Sequence, residues 1–263
     1  MTTLIMSDYL EIKSVDHILR NTAFSTPGLN VYLALFTATP GDPGGGTEIT
    51  GKSGYTRTKV NAWDAPATGH TQNTNDILWS TAGEVWGLIT SIGIYDSSTG
   101  GNLLFYGSLN ANKQIDTGDV FKIMAGDLDI TLDGAWGNAL ANAWLSHILR
   151  NTAYTKPTNV KCHLYTTVPN AADAGGTEVS GGSYAAQDIY GTTAWDNHAD
   201  GTTENTNVVT YPTASANWGT VNGFVLRDQA AGMLFFGNLT TPRTVYNLDV
   251  FRWSAGALDI AVQ

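Results

Sequence analysis

The heptapeptide HILRNTA stands at His17–Ala23 and again at His147–Ala153, in a chain of 263 residues. Aligning the two words brings most of the chain into register with itself. GGTEITGKSGY (Gly45 to Tyr55) faces GGTEVSGGSY (Gly175 to Tyr184), and AWD at Ala62 faces AWD at Ala194. TQNTN (Thr71 to Asn75) faces TENTN (Thr203 to Asn207), WG at Trp86 faces WG at Trp218, and LFYGSL (Leu104 to Leu109) faces LFFGNL (Leu234 to Leu239). GDVFKIMAGDLDI (Gly118 to Ile130) closes the match against LDVFRWSAGALDI (Leu248 to Ile260). So few insertions over so many segments mean tandem duplication of one unit of about 130 residues, an ordinary size for one domain. The boundary falls in LDGAWGNA, where glycines at 134 and 137 interrupt the strand pattern. The expected domains are therefore 1–133 and 134–263.

Each unit opens on a helical period. Leu140, Trp144, Leu145, Ile148 and Leu149 share one helix face, and Leu10, Val15, Ile18 and Leu19 repeat it in the first copy. Arg20 and Arg150 suit the negative end of the helix dipole, and Asn21 and Asn151 can close it in a left-handed conformation. The period then changes to two. In NVYLALFT, Val31, Leu33 and Leu35 share a face, matched by Val160, Cys162 and Leu164 in NVKCHLYT. Tyr32, Ala34 and Phe36 are expected on the opposite, outer face, and Cys162 is expected to be a small buried hydrophobe. Further strands are predicted near 55–60, 77–79, 92–95, 103–107, 120–124 and 128–132. In LDITL, Leu128, Ile130 and Leu132 point inward and Asp129 outward. The fold class is mainly β: two tandem homologous antiparallel β-sandwich domains, each preceded by one α-helix.

Composition excludes several functions. The formal charge is −10 and the 13 basic residues form no cluster, which disfavours a nucleic-acid partner. A single cysteine leaves neither a disulfide framework nor a cysteine-based zinc site. The opening MTTLIMSDYLEIK lacks the pattern of a signal peptide, and no stretch of eighteen apolar residues occurs, so membrane insertion is not expected.

The duplication also tests for catalysis, because a required group should survive in at least one complete constellation. His17 and His147 are the histidines matched between copies and are read as helix packing residues; His70, His163 and His198 are read as surface variation. No G-x-S-x-G elbow supplies a nucleophile. Glu48, Glu178, Asp129 and Asp259 are matched acids, but a turn or edge-strand role explains them more cheaply than a glycosidase pair. TPGDPGGGTE lacks the Lys-Ser/Thr ending of a phosphate loop, and no D-x-D-x-D-G calcium loop accompanies Asp42, Asp173 or the NTN turns. No catalytic, cofactor or metal residues are assigned, and no enzyme activity is expected. Trp63 and Trp195, in loops rich in Gly, Asp and Thr, are the candidate contacts for a sugar or partner, whereas Trp86 and Trp218 are expected to plug the core.

On HILRNTA with Phe24 or Tyr154 and Pro27 or Pro157, VYLALFT, GGTEVSGGSY, ENTN, TASANWGTV, GGNLLFYGSL and AGDLDI, the unit resembles the small tailed-bacteriophage proteins described as phage tail fibre proteins. The resemblance covers nearly the whole chain, once per copy. It implies a virion structural protein, made in the host cytoplasm, in the tail, neck, collar or fibres, and brings no catalytic residues. The alternatives are a carbohydrate-binding host-attachment module and a capsid decoration protein. Its expected partners are other phage structural proteins, further copies of itself (three chains would present six units in a pseudo-sixfold arrangement), and a host surface glycan.

Overall fold

A computed structural model describes residues 2–196 and 200–262. It is mainly β with two helices, and from the helix onward its two sequence repeats share one order of elements. The first runs β1 (Thr2–Met6), α1 (Asp8–Ile18), β2 (Val31–Ala38), β3 (Thr47–Glu48), β4 (Thr58–Val60), β5 (His70–Gln72), β6 (Ile77–Leu78), β7 (Gly87–Tyr95), β8 (Leu103–Ile115), β9 (Lys122–Ile123) and β10 (Leu128–Thr131). The second runs α2 (Asn138–Leu149), β11 (Val160–Thr167), β12 (Thr177–Glu178), β13 (Gln187–Asp188), β14 (Thr202–Glu204), β15 (Val209–Thr210), β16 (Gly219–Asp228), β17 (Met233–Val245), β18 (Arg252–Trp253) and β19 (Asp259–Ala261).

Compact units and sequence repeats divide the chain differently. The first compact unit comprises Met1–Glu11, Ser25–Leu132 and Asn142–Tyr154; the second comprises Ile12–Phe24, Asp133–Ala141 and Thr155–Gln263. The chain thus changes unit inside each helix, and each unit is completed by the later part of the helix belonging to the other repeat. In the first unit, Arg150 Nη1 donates to the Trp63 carbonyl at 2.6 Å and Asn142 Oδ1 accepts from the Gly69 amide at 2.8 Å. In the second, the Gly191 amide donates to the Leu19 carbonyl at 2.9 Å. The helix face read from the sequence, Leu10, Val15, Ile18 and Leu19, is buried, and the polar Ser14 and His17 are buried beside it.

In the first unit the main sheet runs β3-β2-β7-β8-β1-β10-β5. Its long members pair antiparallel, from Tyr32 against Tyr95 to Phe36 against Ser91. β1 is the exception: it lies antiparallel to β8 and parallel to β10. The sequence reading missed β1, a short strand ahead of the helix that the periodicity placed first. The second unit orders its sheet β12-β11-β16-β17 and keeps β14 with β19 and β15 with β18 as separate pairs. Both faces of β2 are covered along most of its length: Ala34 and Phe36, expected on the outer face, are as buried as Leu33 and Leu35. Phe36 stacks on Tyr95 with centroids 6.5 Å apart, which removes its ring from water. Cys162 is fully buried, as its inward register requires.

Candidate functional site

The repeated HILRNTA word is a helix terminator. Asn21 and Asn151 take φ of 61° and 54°, the left-handed values that end a helix. Beyond that turn the chain is tied back to the helix: the Phe24 amide donates to His17 Nδ1 at 2.9 Å, and the Tyr154 amide to His147 Nδ1 at 3.0 Å. An accepting Nδ1 fixes the neutral tautomer with its proton on Nε2. Both histidines are buried, and in the first unit His147 also stacks on Trp144 at 5.0 Å. They brace the chain's exit from the helix.

The matched glutamates form a second node. Tyr55 accepts the Leu35 amide at 3.1 Å and donates to Glu48 Oε1 at 2.9 Å; Arg57 grips both oxygens of Glu48 through Nε at 2.9 Å and Nη2 at 2.8 Å. The Arg57 guanidinium lies over the Tyr95 ring, 3.6 Å from its centroid. In the second repeat Ala186 takes the place of Arg57. His163, where the first repeat has Ala34, replaces it by bonding Glu178 Oε1 at 2.6 Å, while Tyr184 keeps its bond from the Leu164 amide. His163 is thus a compensating partner, not surface variation. His70 likewise pairs with Asp129 at 3.0 Å; His198 lies outside the described residues. Burial raises the Tyr55 and Tyr184 phenols well above their ordinary range. Trp86 and Trp218 meet Tyr55 and Tyr184 edge to face and donate to the carbonyls of Ser53 and Gly182, as core plugs do. With both oxygens of Glu48 committed to neighbours, the node is built as a support.

The NTN turns have a similar logic. Asn73 Nδ2 donates to the carbonyls of Asn75 and Met124, and its Oδ1 accepts from Leu128 at 2.9 Å. Asn205 makes the same bonds to Asn207, Ser254 and Leu258 and also accepts from Ala257. The opposing Gly126 and Gly256 have φ of 78° and 70°, which turns their amides onto the carbonyls of Asn73 and Asn205. These asparagine side chains are spent on backbone and are not free to ligate calcium. Asp8, Glu11 and Asp42 are the one acidic group among the described residues close enough to hold a cation. Nothing corresponds to it in the second repeat, where Asn138 and Ala141 replace Asp8 and Glu11.

The two candidate contact tryptophans are core residues. Trp63 is 5% exposed and Trp195 is 0% exposed, with Trp195 Nε1 donating to the Ile189 carbonyl at 3.0 Å. The sequence places these indoles in loops rich in Gly, Asp and Thr. The bridges from Trp63 to Asn73 and Trp195 to Asn205 draw them in instead, so neither presents a ring face to a sugar.

The exposed surface also differs between repeats. Leu78, Leu88 and Met124 are about half exposed in the first, where the second has Thr210, Thr220 and Ser254. The second exposes Tyr246 and Leu248 instead, where the first has Asp116 and Gly118. Leu248 is 75% exposed and has φ of 73°, a conformation that costs a non-glycine residue about 1–2 kcal/mol. In both repeats the second strand of the long hairpin carries extra residues. Between paired residues Ile89–Lys113 and Ser91–Ser108 β7 advances two positions and β8 five, and β16 and β17 do the same between Val221–Arg243 and Gly223–Asn238. The looped-out residues 110–112 and 240–242 are exposed. No helix among the described residues is long and apolar enough to cross a membrane.

The comparison with curated proteins returns no match. The family model of podophage GP4 fiber I protein gp80 matches twice, over residues 5–131 and 135–261. Its two spans reproduce the repeat seen in the sequence, and the duplicated phage fibre-like form inferred from HILRNTA and its companions is this one. The chain therefore belongs to the podophage GP4 fiber I protein gp80 family and carries two tandem copies of the family's unit.

Proposed function

We propose that the protein is a fibre-associated assembly component of the virion that docks to other phage structural proteins through its exposed surfaces and catalyses no reaction. Family membership supports a phage structural role. The observation that carries the rest is the contrast between the repeats. The buried histidine, glutamate–tyrosine and asparagine nodes recur, while the exposed apolar positions have been exchanged. A duplicated enzyme would keep its reacting groups; a duplicated connector keeps its interior and alters its faces, so that each repeat meets a different neighbour. The strained, exposed Leu248 fits a residue retained for contact rather than stability. Three chains presenting six related units would match a pseudo-sixfold mount on the particle. A tail or neck/collar position fits this reading better than a decorating role on the capsid, and a host-glycan role loses Trp63 and Trp195, the two rings it was assigned, to the core.

Antibody labelling of purified particles, followed by reconstruction, tests the proposal. Density for the chain at the fibre or its attachment is expected. Particles free of the protein would contradict it, as would cleavage of host polysaccharide lost in Glu48→Gln or Glu178→Gln.

A further inference from the structure

The two repeats treat one strand edge in opposite ways. In the first unit β10 is an inner strand: β5 pairs with one side, and β1 adds to the other in parallel, with Thr2, Thr3 and Leu4 opposite Leu128, Asp129 and Ile130. Leu4 is fully buried there and Asp129 is 6% exposed. In the second unit β19 pairs with β14 on one side and with no other strand among the described residues. The residues before the second repeat do not supply the missing strand: Asp133 and Gly134 are exposed, and Gly134 turns the chain in a bend with φ of 93°.

The hydrogen bonds tell which backbone groups are left over. The Asn205 amide donates to the Leu258 carbonyl and the Val262 amide to the Gly201 carbonyl. By the alternation of an antiparallel ladder, Leu258, Ile260 and Val262 direct their backbone groups toward β14, and Asp259 and Ala261 direct theirs away from it. Asp259 and Ala261 are both exposed. We infer that this edge of β19 is a docking site for an extended segment of a different protein, which adds to it as a parallel strand in the register that β1 takes on β10.

The chemistry of the occupant follows from the same comparison. The residue opposite Ile260 stands where Leu4 stands against Ile130, and is apolar. The residue opposite Asp259 meets its exposed carboxylate, and exposed Glu204, paired with Asp259 one strand further on where the first repeat has Gln72, adds negative charge to that face. A lysine or arginine there is complementary. A second copy of this chain paired edge to edge about Asp259 would set like charges against each other, whereas a foreign cationic segment complements them. Strand addition of this kind takes its affinity from main-chain bonds and its specificity from alternate side chains.

The test uses the full chain and a labelled peptide, acetyl-TKLIM-amide, which sets Lys opposite Asp259 and Leu opposite Ile260. Fluorescence anisotropy should show saturable binding, and hydrogen exchange should show new protection at the Asp259 and Ala261 amides. The reversed control acetyl-TLKIM-amide should bind at least tenfold more weakly. Ala261→Pro removes one outward donor, a change that edge strands tolerate, and should also weaken binding at least tenfold. Should that variant fail to fold, Asp259→Lys should reverse the preference from TKLIM to TELIM. Absence of binding, equal binding of the reversed peptide, or binding indifferent to these substitutions would overturn the inference. Self-association abolished by Ala261→Pro would overturn the assignment of a foreign occupant. The edge geometry stands apart from the virion role, so a failed peptide leaves the particle-labelling test untouched.

Discussion

Replacing Asn205 by alanine should cost more than almost any other polar truncation in the second unit. The side chain is 1% exposed and makes four bonds: from Nδ2 to the carbonyls of Asn207 at 2.7 Å and Ser254 at 2.8 Å, and at Oδ1 from the amides of Leu258 at 2.8 Å and Ala257 at 3.1 Å. Alanine would leave two amides and two carbonyls without these partners, the Leu258 amide in a buried residue and the other three groups in exposed ones. At about 1 kcal/mol net per bond the four bonds amount to about 4 kcal/mol, and water reaching the partners on exposed residues leaves a loss of about 3–4 kcal/mol. In urea, with a slope of about 2 kcal/mol/M, the midpoint should fall by about 1.5–2 M at unchanged slope. Asn205→Asp should be no better at neutral pH, because it turns a carboxylate oxygen onto two carbonyls. It should recover partly in acid, where the protonated group can again donate one bond. A loss under about 1 kcal/mol for Asn205→Ala, or an aspartate as stable as the asparagine at neutral pH, would refute the reading of this side chain as a strut.

Other consequences are equally direct. His147→Ala should destabilise the first unit by about 2–3 kcal/mol, through the orphaned Tyr154 amide and the lost stack on Trp144, as read by thermal unfolding. Leu248→Gly should raise stability by about 1 kcal/mol by relieving the left-handed backbone, while weakening whatever contact the side chain makes in the particle. Cys162, fully buried with its thiol pushed up to about 12 by that burial, should react with a thiol reagent only after unfolding. Burial raises the folded-state pKa of Tyr55, Tyr184 and Tyr211, so the folded chain holds protons that the unfolded chain releases above about pH 10. Stability should therefore be intact below that pH and decline as pH rises beyond it, with phenolate absorbance growing in step with unfolding; Tyr55→Phe and Tyr184→Phe should flatten the dependence.

The repeat, the helix faces, the buried face of β2 and the asparagine helix ends were legible because each rests on local periodicity or a local backbone preference. β1 was not, since five residues ahead of a helix carry too little alternation to announce a strand, and its parallel pairing depends on a partner more than a hundred residues away. The roles of His163 and Arg57 were hidden for a related reason. Each holds its repeat's matched glutamate, but from a different place in the sequence, so alignment of the copies leaves Arg57 unremarked and makes His163 read as surface variation. Trp63 and Trp195 misled because Gly, Asp and Thr neighbours describe a turn without saying whether the turn folds inward. The exchange of helix segments leaves no mark on periodicity at all, because the apolar positions read the same whichever unit they enter.

That exchange is open to one decisive measurement. A protease site inserted at the exposed Asp133 allows the folded chain to be cut between the repeats. The first unit includes Asn142–Tyr154 from beyond the cut, and the second includes Ile12–Phe24 from before it. The two fragments should therefore co-elute at the size of the intact protein and separate only in denaturant. Fragments that part in native buffer, each folded and monomeric, would contradict it.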